Sequence, residues 1–137
     1  SPLPAFARPQ NLTMRCPCRK KSETITYADC CRPLHEGVAT AATAAQLMRS
    51  RYAAFALGHS AYIAATWHPS TRPADTTPQP GQEWLALRIV TASQSGDNAT
   101  VEFVARSRIG GRSLTLHEVS RFVREAGRWS YLDGAIG

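Results

Sequence analysis

Four cysteines fall within sixteen residues, as Cys16-Pro17-Cys18 and then Cys30-Cys31, and none follows Cys31. Thiols gathered this tightly form a site, and two chemistries compete for it. A disulfide between adjacent residues, or between residues one apart, closes a ring too small for the required Cα spacing and torsion. Pairing Cys16 or Cys18 with Cys30 or Cys31 is sterically open, but such a bond does not persist in a reducing compartment. Two close thiolate pairs joined by an eleven-residue excursion can instead converge on one tetrahedral ion, at about 2.3 Å per Zn–S bond. A closed site with four thiolates and a single ion suits one structural Zn²⁺, although spacing alone leaves iron open. Arg15, Arg19, Lys20, Lys21 and Arg32 surround the cluster and are expected to lower the thiol pKa values and offset the charge of the complex.

The elements that must carry this cluster set the scale. The chain has 137 residues, 43% hydrophobic and 19% charged, enough for one domain with a real core and a small appendage. No stretch approaches the roughly 20 apolar residues of a membrane helix. The opening segment, with Pro2, Pro4, Arg8 and Pro9, lacks the apolar core of an export signal, so a cytoplasmic location is the expectation. Residues 1–13, which precede Met14, are expected to be a disordered or vector-derived tail. The net charge of +6 rests on 16 basic residues, 14 of them arginine. They are scattered along the chain, which disfavours nucleic acid as the partner.

Arg32-Pro33-Leu34-His35-Glu36-Gly37 reads as a breaker-rich connection, so the first element is expected at 14–37 and the main domain at 38–137. Thr43 and Gln46 fit a capping box, Gly58 marks the far end, and Leu47, Met48, Tyr52, Phe55 and Ala56 recur at helical spacing as one buried stripe. Ser60 is expected to cap a second helix through Tyr62, Ile63 and Trp67, ending near His68 because Pro69 follows. Residues 69–81 hold four prolines and read as a long loop. From Trp84 the period becomes two. Strands are expected over Trp84–Thr91, Thr100–Arg108, Leu114–Arg124 and Trp129–Leu132, with turns at Ser95–Asn98, Gly110-Gly111 and Gly127. Helices followed by an antiparallel meander imply an α+β fold.

Cys16-Pro17-Cys18 followed by Tyr27-Ala28-Asp29-Cys30-Cys31 resembles the SEC-C motif, a short zinc-binding element found in the SecA translocation motor and in many small bacterial proteins. That motif usually reads Cys-Pro-Cys-Gly-Ser-Gly, then Tyr, then Cys followed by Cys or His. Here Arg19-Lys20-Lys21 replaces Gly-Ser-Gly and the spacer is longer. The resemblance implies Cys16, Cys18, Cys30 and Cys31 as ligands of one Zn²⁺, with His35 as a substitute for the last and otherwise a surface or linker residue. By analogy with the SecA element it also implies a protein partner, steered by Arg19, Lys20 and Lys21.

The later segments Leu47–Tyr52, Trp67-His68-Pro69, Val101–Arg106, His117–Phe122 and Gly127–Gly134 are similar to the YchJ family of bacterial proteins. That resemblance implies a nuclear transport factor two-like cone of helices packed on a curved antiparallel sheet, enclosing a cavity, preceded by the SEC-C element. It brings no reaction with it. An enzyme or small-molecule carrier using the cavity is the second functional reading, with Arg49, Arg51, Trp67, His68, His117 and Arg121 as its residues, and nucleic-acid binding through the basic zinc element is the third. No nucleophile–base pair and no phosphate-cradling glycine loop is recognisable, so an enzyme is not the leading reading. Alternation sends His117 and Glu118 to opposite faces of one strand.

Overall fold

The computed structural model describes residues 14–20 and 22–136. The expected tail at 1–13, Lys21 and Gly137 lie outside the described residues.

A four-stranded antiparallel meander, in the order β1-β2-β3-β4, forms the scaffold. Its strands are β1 (Gln82–Ser95), β2 (Asn98–Ile109), β3 (Arg112–Glu125) and β4 (Arg128–Ile136). All four expected strands are present and each is longer than its apolar segment. The two-residue turns at Gly96-Asp97, Gly110-Gly111 and Ala126-Gly127 let ladder hydrogen bonds run almost to the tips. Along β2, Ala99, Val101, Phe103, Ala105 and Ser107 are buried in strict alternation, which fixes the inner face. Phe103 pairs with Glu118 and Ala105 with Leu116, so the inner face continues through Leu116, Glu118, Ser120 and Phe122.

The register slips between Trp84 and Ala86, between Ile89 and Thr91, and between Arg121 and Phe122. Such irregularities bend strands and raise twist, which curves the sheet around its helices. Period-two reading does not reveal them. Gly134 serves this curved wall in another way, since a Cβ there would overlap the Glu118 carboxylate.

The helices are α1 (Arg32–His35), α2 (Ala44–Leu57) and α3 (Ser60–Ala65). In α2 the Thr43 Oγ1 accepts from Gln46 N at 3.1 Å, and the Gln46 side chain accepts from Ala42 N, so both residues cap as their types dictate. Gly58, with φ +82°, closes the helix in the left-handed conformation. Burial on α2 exceeds the expected single stripe. Ser50, Arg51, Ala53 and Ala54 are buried alongside Leu47, Met48 and Tyr52, because the cysteine segment and α1 cover one flank while the sheet covers the other.

Two helix expectations need correction. Arg32–His35 is a short helix, since a proline in the first turn forfeits no intrahelical hydrogen bond. Ser60 is the first residue of α3 rather than its side-chain cap, and the helix stops at Ala65. Trp67 instead makes a parallel bridge to Tyr131, held by His68 N to Tyr131 O and Tyr131 N to Thr66 O, both 2.8 Å. The proline-rich segment after it is the expected loop, strapped down by Thr71 to Leu132 O and Thr76 to Ser60 O. No helix among the described residues is long and apolar enough to cross a membrane.

Candidate metal centre

The cysteine segment has little regular structure, so a few backbone contacts decide its shape. Arg15 and Thr26 form an antiparallel bridge, with Cys16 N donating to Ile25 O at 3.0 Å and Tyr27 N to Met14 O at 2.9 Å. Arg19 N donates to Cys16 O at 2.9 Å, so the turn that carries Cys16 and Cys18 closes with Arg19 in place of the motif's glycine. A 3₁₀ turn over Tyr27–Asp29 then delivers Cys30 and Cys31 to the same point.

The four Sγ atoms lie within 4.8 Å of one another. Cys18 Sγ is 3.6 Å from the sulfurs of Cys16, Cys30 and Cys31, and Cys30 Sγ is 3.8 Å from that of Cys31. A tetrahedron with Zn–S bonds near 2.3 Å has S···S edges of about 3.8 Å, whereas a disulfide needs about 2.05 Å. The cage therefore fits one tetrahedral thiophilic ion, and all four cysteines are free thiols. Cys16, Cys18 and Cys31 are buried and Cys30 stands at the rim.

Four thiols at these separations cannot all ionise without a cation among them. Cys30 is held below the ordinary thiol range because the thiols of Cys16, Cys18 and Cys31 donate to it, with Arg19 adding its guanidinium. Cys31 is pushed up by the sulfurs of Cys16, Cys18 and Cys30 and by burial. A divalent ion would remove that conflict, holding all four as thiolates.

The surroundings tie the cage to the domain. Arg19 Nε reaches Cys30 Sγ at 3.4 Å while its Nη1 pairs with Glu23. Arg49 Nη1 donates to Cys18 O at 2.9 Å, which places this residue of α2 at the metal element rather than in the cavity. Tyr27 is fully buried, and its hydroxyl meets His35 Nδ1 at 2.7 Å. His35 Nε2 in turn donates to Ser50 O at 2.7 Å. The expectation of His35 as a surface or linker residue is thus corrected. It is an internal brace, and its Nε2–H tautomer follows from having a carbonyl acceptor on that side.

Burial lowers the His35 pKa to about 4, outweighing the hydrogen bond to Ser50. The unfolded chain takes up this proton near the ordinary value of about 6.5, so stability is complete above pH 6.5 and falls as the pH drops from 6.5 toward 4. A loss on the order of 2–3 kcal/mol is expected. Urea unfolding of wild type and His35→Gln across this range checks it: acid loss of the ion is common to both, so the difference between the curves should shrink on acidification. Parallel curves would contradict it.

The remaining cavity residues are separated by the fold. Arg51 and Trp67 line a cavity of about 270 Å³ between α2 and the sheet. His68 lies at the edge, 3.1 Å from Glu125, and His117 sits on the outer sheet face, 2.6 Å from Glu102. Arg121 pairs with Asp133 on that outer face. The two histidines therefore do not meet in one void. Arg19 stands beside the thiols, as its charge predicts, whereas the bracing of His35 between Tyr27 and Ser50 O and the reach of Arg49 to Cys18 O had no signal in the spacing.

A family model described as "YchJ, middle NTF2-like domain" matches residues 43–134. A UPF0225 protein of Bordetella parapertussis is 47% identical over 133 residues, covering 94% of this chain and 98% of that protein. Among solved structures, a SEC-C motif containing protein from Rhodopseudomonas palustris superposes with a TM-score of 0.77 at 37% identity, over 89% of this chain and 98% of the other. A second, from Psychrobacter arcticus, gives a TM-score of 0.75 at 29% identity, over 92% and 85%.

Proposed function

The chain belongs to the YchJ-like UPF0225 family, an NTF2-like α+β domain carrying a SEC-C cysteine cluster, and from that premise we propose that it is a cytoplasmic protein-docking module shaped by one structural Zn²⁺. Residues 14–37 form the docking element and 38–137 the domain that presents it. The observation that carries this reading is the cage of four sulfurs at tetrahedral spacing, with three of its four cysteines buried. A site with four protein ligands leaves no open coordination position, which fits a structural ion rather than a catalytic one.

The chemistry around the cage favours an acidic partner. A cleft of about 90 Å³ beside Cys30 is lined by Arg19, Asp29, Leu34, Gln46 and Arg49, and the guanidinium atoms of Arg49 beyond the Nη1 that donates to Cys18 O can meet a carboxylate there, next to an Arg19 already paired with Glu23. Arg15 and Lys20 are exposed nearby and add attraction at longer range.

Pull-downs with wild type, Cys30→Ser and the pair Arg15→Glu with Lys20→Glu test the reading. An acidic partner captured by wild type should be lost with both variants and should elute with rising salt. The same partners recovered by all three would remove the docking function. A salt-dependent shift of nucleic acid by the wild type would replace it with the nucleic-acid reading.

A further inference from the structure

We propose that the cavity between α2, Trp67 and the inner sheet face binds a small monocarboxylate with an apolar or aromatic body, its carboxylate held by Arg51. The cavity, about 270 Å³, approaches the size of ordinary ligand pockets. Met48, Phe55, Trp84, Phe103 and Leu116 make most of its wall apolar. Arg51 is 3% exposed and has no carboxylate within 4 Å among the described residues. A buried guanidinium in that condition is costly unless something pairs with it.

Its geometry suits a carboxylate. Nη1 donates to Ile63 O at 2.9 Å and Thr66 Oγ1 at 2.7 Å, while Nε and Nη2 make no hydrogen bond among the described residues. The rings of Trp67 and Tyr131 flank the guanidinium carbon at 5.0 and 4.6 Å, holding the plane in place. Burial lowers its pKa to about 10 against the opposing pull of Tyr131, Tyr62 and Glu118, leaving it charged at neutral pH with no carboxylate in direct contact. Two other lining residues carry buried donors without partners, the Tyr52 hydroxyl and the Trp67 indole N–H. The unmatched groups are thus a cation and two donors, the set an acceptor-bearing anion would satisfy.

Glu118 limits the charge that fits. Its Oε2 accepts from the Ser120 and Tyr131 hydroxyls on the sheet wall, and the carboxylate makes no ion pair with Arg51 among the described residues. A second negative charge on the ligand would face it. A monoanion is therefore preferred over a dianion.

Titration of the full zinc-loaded chain, followed in ¹H–¹⁵N spectra, tests the proposal with phenylacetate and hexanoate as probes. Phenylacetamide is the neutral isostere and phenylmalonate the dianion. At least one acid should shift the indole N–H signals of Trp67 and Trp84 saturably, and phenylacetamide and phenylmalonate should bind at least about tenfold more weakly. Arg51→Gln should abolish the preference for acid over amide, and Arg51→Lys should restore part of it. If Arg51→Gln does not fold, the wild-type comparison of acid with amide decides alone. No saturable indole shift from either acid up to about 10 mM, or equal binding of acid and amide, would overturn the site and leave Arg51 as a brace between α2 and α3.

Discussion

Cys31→Ser is expected to lose most of its bound metal and to unfold at least about 10 °C below wild type, a loss of several kcal/mol. Cys31 is 1% exposed, and Cys16, Cys18, Tyr27 and Leu34 are the other buried hydrophobic residues of its segment among the described residues. Backbone pairing there amounts to a bridge at Arg15 and Thr26, a turn and a 3₁₀ turn. An element of this size does not hold its shape on apolar burial alone, so metal binding free energy becomes folding free energy. Serine puts a buried hydroxyl where a thiolate should be and leaves three sulfurs to hold the ion. Cys30→Ser, at the rim, should cost less. Thermal denaturation with parallel metal analysis checks both, and a Cys31→Ser protein melting within about 2 °C of wild type would contradict a structural ion.

Tyr27→Ala is expected to cost about 3–5 kcal/mol, because it empties a fully buried aromatic site and leaves His35 without its hydroxyl partner. The ring joins the cysteine segment to the domain through the chain Tyr27, His35 and Ser50 O. Tyr27→Phe keeps the ring and removes the hydroxyl alone, so about 1–2 kcal/mol should be lost. Urea unfolding of the two variants separates packing from hydrogen bonding. A cost below about 1 kcal/mol for Tyr27→Ala would mean that the cysteine segment and the domain are not coupled there.

Much of this was readable from residue types. The cysteine spacing singled out the cage because few arrangements of Cys-Pro-Cys and Cys-Cys allow anything but convergence. Thr43, Gln46 and Gly58 marked α2 because capping is local chemistry, and glycines marked the hairpins for the same reason. What escaped was non-local. Pro33 read as a breaker although it starts a helix, and Trp67 read as helical although it pairs with Tyr131 across the chain. Arg49 and Arg51 are two apart in sequence, yet one points to the cysteine turn and the other into the cavity. Helical spacing predicts divergent directions for them, but not what each meets. His35 is a brace only because Tyr27 and Ser50 arrive on either side.

The most direct test of the central claim is elemental analysis of protein purified without added zinc, combined with X-ray absorption at the metal edge. About one zinc per chain, surrounded by four sulfurs at about 2.3 Å, is the expected result. Protein that is folded and free of metal, or that shows the four cysteines joined as disulfides by mass spectrometry, would contradict it.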